Sequence, residues 1–244
     1  MDYLDWAGVG WFFLYYVFGA GSLALLSSVV HLPKEVVRKG YHVMACGSVF
    51  VLLECFDHWF SAVIALAIFI TAVFIAVPLA YRLFDLRSLS VQRGSSILEV
   101  LRQAALFLTS MAILITLIWG VLGEQYKLHI AIGMMALSLG DAAAALIGKR
   151  FGKRKLKSRI FDPNKTVEGS SAMFTFAFLA IFALLLIFTE LPLLIIVVSS
   201  LVLAALSAFV EAIAIRGLDT IVIPLIISFS SLGLSILLSL QLLK

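Results

Sequence analysis

Asp141 lies within the apolar stretch 136–148, and its type and depth raise the first chemical question. Lys149 follows eight positions on, about 12 Å along a helix at 1.5 Å per residue. A carboxylate at such depth in a lipid-spanning helix is costly unless it is paired or bound to a cation. Ala136, Gly140, Ala144 and Gly148 recur every fourth residue around it, which permits close helix approach. One reading is a packing helix with a stray buried acid. The sharper one is a ligand for a hard cation at the mouth of a bundle, because Mg²⁺ takes carboxylate and phosphate oxygens.

Three further stretches carry matching chemistry. After Asp141 comes a loop with eight basic residues, ending in Asn164-Lys165-Thr166-Val167-Glu168-Gly169-Ser170-Ser171 before the next apolar run. A basic loop alone reads as a topology signal with affinity for anionic lipid. Its ending suggests more, since a helix N-terminus rich in small residues offers N–H groups to phosphate, and Lys165 adds a point charge. A polyphosphate beside a metal at Asp141 is the natural occupant. Second, Arg38-Lys39-Gly40-Tyr41-His42 would bring Arg38, Lys39 and His42 toward one point if helical. That is either an interfacial basic cluster or a phosphate clamp with a proton-accepting imidazole. Third, Glu211 lies inside the seventh apolar run and Asp219 in the turn that follows it, so that with Asp141 three carboxylates can converge; a salt bridge from Glu211 to Arg216 or another loop base is the alternative.

The elements that must position these groups are membrane helices. Of 244 residues, 63% are apolar and 13% charged, with a mean hydropathy of +1.13. This excludes disorder, coiled coil and collagen, and leaves no room for a separate soluble domain. Apolar runs of bilayer-crossing length recur throughout. The reading is an all-α polytopic transmembrane bundle of eight spans, at about 8–30, 41–56, 59–80, 104–122, 130–147, 171–189, 192–215 and 221–243. Seven spans with a re-entrant segment at the short second run is the rival.

Charge supports eight. With alternating spans, the links 31–40, 81–103, 148–170 and 216–220 share one side and hold sixteen of the eighteen Lys and Arg. Cytoplasmic loops carry this excess, so both termini are expected outside. Residues 1–244 then form one integral membrane domain, with cytoplasmic catalytic loops at 81–103 and 148–170. Segment 88–103 repeats Ile97, Leu98 and Leu101 at helical spacing and suits an interfacial helix, with Arg93 and Glu99 as supporting groups. The acidic start (Asp2, Asp5) is unlike a signal peptide, so the first run is expected to remain as a span. Cys46 and Cys55 form no disulfide framework or CxxC site. His31 and His129 are expected at the interface, and His58 on the side away from the basic cluster. Pro78 and Pro224 are expected to kink or end helices.

In this order the stretches resemble the CTP-dependent isoprenoid-alcohol kinase family (dolichol, phytol and polyprenol kinases), related to phosphatidate cytidylyltransferase. Arg38 to His42 matches its RKxxH element. Gly140-Asp141 through Lys155 matches the GD helix with its glycine- and lysine-rich tail, and Lys165 to Gly169 matches KTxEG. Glu211, Gly217, Asp219 and Pro224 match the late acidic element, where Thr220 replaces the usual Asn. The resemblance spans about residues 34–225, and RKxxH favours the kinase branch.

The resemblance implies a lipid kinase that phosphorylates the hydroxyl of a membrane isoprenoid alcohol from CTP with Mg²⁺. His42, Arg38, Lys39, Asp141 and Lys165 would be catalytic. Gly140, Lys149, Gly152, Lys153, Lys165, Thr166, Glu168 and Gly169 would bind nucleotide, Glu168 either at a metal or fixing Lys165. Asp141, Glu211 and Asp219 would hold metal. The alternatives are a CDP-lipid synthase and, with the acids as ion sites, a transporter. The expected partners are CTP, a long-chain isoprenoid alcohol and the bilayer, with a homodimer compatible and no nucleic acid. The small size suits a prokaryotic plasma membrane, with the site facing the cytoplasm.

Overall fold

The computed structural model describes residues 4–83, 97–157, 160–214 and 217–242. Eight helices within them are long and apolar enough to cross a membrane. They are α1 (Trp6–Val30), α2 (Lys34–Glu54), α3 (Trp59–Leu83), α4 (Ile97–Leu114), α5 (Lys127–Phe151), α6 (Val167–Phe188), α7 (Leu193–Ile213) and α8 (Asp219–Leu242). α4 runs on through a π-helical segment, Ile115–Leu122. No strand occurs among the described residues, only an isolated antiparallel bridge between Lys155 and Thr166. The eight-span reading therefore holds over its seven-span rival.

Several helices begin earlier than hydropathy suggests. α2 starts at Lys34 rather than 41, because Pro33 opens the first turn and its carbonyl accepts from Val36 and Val37. α6 starts at Val167 rather than 171, because the Thr166 hydroxyl accepts from the Gly169 N–H as an N-cap. Hydropathy misses such turns because they are polar on the face that meets the site. Residues 97–103, expected in an interfacial helix, are the first turns of α4; the rest of that helix, with Arg93, lies outside the described residues. Pro78 and Pro224 lie inside α3 and α8 and end neither.

α5 is the most buried helix, and it packs on α6, α8 and α2. The small-residue stripe does this work. A Cβ on Gly148 would meet the Gly169 Cα at 3.3 Å, so α5 and α6 touch almost backbone to backbone at the basic end. α1 is peripheral, on α2 and α3. His129, expected at the interface, stands in the first turn of α5 and faces α8. It is buried, with Nδ1 2.9 Å from the Ser231 hydroxyl of α8, since a ring facing a neighbouring helix needs a polar partner there.

Candidate functional site

The start of α2, the second half of α5, the start of α6, the end of α7 and the start of α8 meet at the basic end. Asp141 on α5 is 9% exposed. Lys39, one helix over, is 5% exposed and donates to Asp141 Oδ2. His42 Nε2 lies 3.3 Å from the same oxygen. The i,i+3 spacing of Lys39 and His42 thus converges on one carboxylate, as the sequence suggested. Arg38 turns instead to Glu35 at 2.5 Å, and Lys149 reaches Glu35 Oε2 at 3.6 Å.

A second ionic group faces the first. Glu211 near the end of α7 is 2% exposed. Its partner is Lys165, which donates to Oε1; Ser170 donates to Oε2 at 3.4 Å. The Asp219 carboxylate lies 3.8 Å from Lys165 Nζ. The pair of Glu211 with Lys165 is the salt bridge to a loop base that the sequence offered as the alternative; Arg216, the other partner considered, lies outside the described residues. Burial alone would lower the pKa of the Lys165 ammonium. Glu211, with Asp219 and Asp141, outweighs burial and holds it above the ordinary lysine value.

Both groups open on one cavity of about 850 Å³. Its walls include Asp141, Lys165 and Glu211, with Arg38, Lys149 and Lys155 at its rim. That is within the size range of small-molecule sites. Asp141 and Lys165, from separate motifs, therefore share one space.

Local folding explains how the loop between α5 and α6 reaches this cavity. Residues 154–156 run antiparallel to 165–167: the Leu156 N–H donates to the Lys165 carbonyl at 3.2 Å, and the Val167 N–H to the Arg154 carbonyl at 2.9 Å. Gly152 makes the turn possible, since a Cβ there would meet the Thr166 Oγ1 at 2.8 Å and collide with the Gly148 carbonyl. The Asp162 N–H donates to the Ala212 carbonyl at 3.0 Å, which ties the loop to the end of α7 beside Glu211.

Some expected roles shift. The contacts of Glu168 run to the loop: its Oε2 accepts the backbone N–H groups of Lys153 (3.2 Å) and Arg154 (3.3 Å). Lys153 and Lys155 are both exposed, and Lys155 is the one that lines the cavity. The α6 amides expected to greet phosphate are engaged within the protein. Val167 donates to Arg154, Gly169 to the Thr166 side chain and Ser170 to the Thr166 carbonyl. Thr166, Gly169 and Ser170 nonetheless line the cavity, beside the cationic side chains of Lys149, Lys155 and Lys165. Gly140 packs against Met173 of α6 rather than lining the space.

Sequence reading passed over Glu35 and Gln103. Glu35 was legible, one turn before Arg38. Gln103 was not, because it comes from α4: its Oε1 accepts from the Thr220 hydroxyl at 3.2 Å, and Gly217, at φ 78°, lies against its amide. A side-chain amide thus stands beside Thr220, from another helix.

No three His, Cys, Asp or Glu among the described residues are close enough to cage a metal. Asp141, Glu211 and Asp219 are instead interleaved with Lys39 and Lys165. This donor set fits Mg²⁺, which keeps several waters and takes one or two carboxylates together with substrate phosphates. It does not fit an ion that needs an all-protein shell.

A model of the cytidylyltransferase family matches residues 6–236, and the chain belongs to that family. It is also similar to a phytol kinase from Synechocystis sp., 30% identical over 204 residues, covering 82% of this chain and 80% of the relative. No solved structure matches it. The chain is an integral membrane protein of a transferase family.

Proposed function

We propose that this member of the cytidylyltransferase family is a CTP-dependent lipid kinase, transferring the γ-phosphoryl group of CTP to the hydroxyl of an isoprenoid alcohol at the cytoplasmic face. The observation that carries it is the shared cavity of Asp141 and Lys165, with Lys39 and His42 against Asp141. The similarity to a phytol kinase supports a lipid alcohol as acceptor.

Phosphoryl transfer asks for alignment and charge neutralisation more than covalent help. Lys165, Lys149 and Lys155 receive the phosphate oxygens, and Arg38 closes the rim. Bound Mg²⁺ would neutralise charge on the triphosphate, held by Asp141 with Glu211 and Asp219. The alcohol enters beside His42. Its oxygen attacks the γ-phosphorus, and the bond from that phosphorus to the β–γ bridging oxygen breaks. The electron pair leaves on CDP. The hydroxyl proton passes to the His42–Asp141 pair, an imidazole and carboxylate within reach of each other. Lys39 holds the Asp141 carboxylate in place. Glu168 and Gly152 act through the loop they shape.

The family description favours a second reading, in which a lipid phosphate attacks the α-phosphorus of CTP and displaces pyrophosphate. Products decide. Purified full-length protein with CTP, Mg²⁺ and a panel of prenyl alcohols and phosphatidate is expected to yield CDP and a prenyl monophosphate by mass spectrometry. Pyrophosphate with a CDP-lipid would replace the kinase reading with the second one. ATP in place of CTP tests the nucleotide.

A further inference from the structure

The polar cavity has an apolar counterpart of about 840 Å³ on the other side of α2. It is a groove between α1 and α2, with Met135 of α5 in its floor. Trp11 and Phe18 form one wall, Val43 and Val51 the other. It follows α1 from Leu26 to Trp11 and α2 from Gly40 to Cys55. Fifteen residues of helix make it about 22 Å long, close to an extended prenyl chain of about sixteen main-chain carbons.

Two observations separate this groove from an ordinary lipid-facing seam. The first is that its walls are fixed. Tyr15 Oη donates to the Met44 carbonyl at 2.7 Å, and a Cβ on Gly47 would meet that hydroxyl at 2.8 Å, so α1 and α2 are held in close register. The second is where it ends. At 100° per residue, Val43 lies about 40° from Lys39 around α2, and His42 about 60° to the other side. Lys39 therefore stands between the groove and the imidazole. A chain lying in the groove with its polar end at the basic side presents that end to Lys39, His42 and Asp141. The charge gradient matches an alcohol that becomes an anionic monophosphate.

We propose that the α1–α2 groove holds the prenyl chain of the lipid alcohol, hydroxyl toward Lys39 and His42, and that its length sets a preference for chains of about twenty carbons. The identity of the occupant rests on the kinase reading above. The groove itself is tested separately from catalysis.

Full-length protein in lipid nanodiscs is irradiated with a twenty-carbon prenyl alcohol that bears a diazirine at its far end, and the labelled peptides are mapped. Label is expected near Trp11 and Val51, displaced by unlabelled prenyl alcohol and not by phosphatidylcholine. Label on other helices, or equal displacement by phosphatidylcholine, overturns the proposal. Val51→Trp fills the far third of the groove. It is expected to lower turnover of the twenty-carbon alcohol by at least about tenfold, from the methylenes it expels, while leaving a ten-carbon alcohol within about twofold. Equal loss on both chains, or on neither, also overturns it. If the wild-type protein phosphorylates no alcohol yet the groove labels as expected, the kinase reading fails and the groove stands. If it phosphorylates prenyl alcohols and the label falls elsewhere, the groove alone fails.

Discussion

Both ends of the bundle draw in lysines, and they satisfy them in opposite ways. At the end away from the basic loops, Lys127 donates to Glu124 at 2.6 Å, three residues away, and to the Leu53 carbonyl at 3.1 Å, and lies 3.8 Å from the centre of the Trp119 ring. These partners are an exposed acid, a helix-end carbonyl and an aromatic face, a structural clasp that closes the last turn of α2. At the basic end, Lys39 and Lys165 meet buried carboxylates 102 and 46 residues away. Buried ion pairs are weak evidence for stability, since desolvation offsets much of their attraction. Assembling two of them from five helix ends around one cavity is an arrangement that stability does not require. The clasp has a structural reason to exist; the cavity charges are the ones that the proposed chemistry would use.

That contrast can be broken by substitution. Asp141→Asn is expected to lower kinase turnover most, by at least about a thousandfold, because it removes the carboxylate shared by Lys39 and His42. Near wild-type turnover of a folded Asp141→Asn protein would misplace the site. Lys165→Ala is expected to cost about a hundredfold or more and to weaken CTP binding measured by calorimetry. A variant that turns over normally would make this end structural too. His42→Ala is expected to lower kcat by about a hundredfold with CTP affinity retained, and the reverse pattern would assign it to binding.

Smaller effects sharpen the comparison. Lys127→Met is expected to lower Tm by about 2–4 °C and leave kcat unchanged, and a loss of activity without loss of stability would make the two ends alike. The pH dependence follows from Lys165, whose pKa is raised in the folded protein. The stability it contributes is fully present below the ordinary lysine range and is lost as pH rises through its own higher value. Wild-type protein in detergent micelles is therefore expected to lose Tm in strongly alkaline solution more steeply than Lys165→Met, and parallel curves would deny the coupling.

Much of the site was legible before folding because its parts are local. Lys39 and His42 stand three residues apart on one helix, so their convergence on one point follows from helical period. Lys165 to Gly169 reads as a helix start because Thr166 is an N-cap type. Roles inside those motifs were not legible. Glu168 looked like a ligand, yet it accepts two backbone N–H groups from a loop fifteen residues earlier. Lys153 and Lys155 are indistinguishable by type and nearly by position. Both are exposed, and only Lys155, bridged to Thr166, lines the cavity. Gln103 bore no mark at all, because its partner Thr220 is 117 residues away.

Composition, apolar run length and the placement of Lys and Arg determined by themselves that this chain is a bundle of eight spans, with its Lys and Arg gathered in alternate links. Each of those is a sum over many residues, and lipid enforces it whatever the neighbours do. Tertiary structure alone decided which lysine meets which carboxylate, which amides are spent inside the protein, and where an apolar groove is held open. Those outcomes depend on how close α5 comes to α6 and α1 to α2, distances set by single glycines on facing helices. Periodicity can place such a glycine on a face, but the partner that face will meet is fixed only when the helices pack.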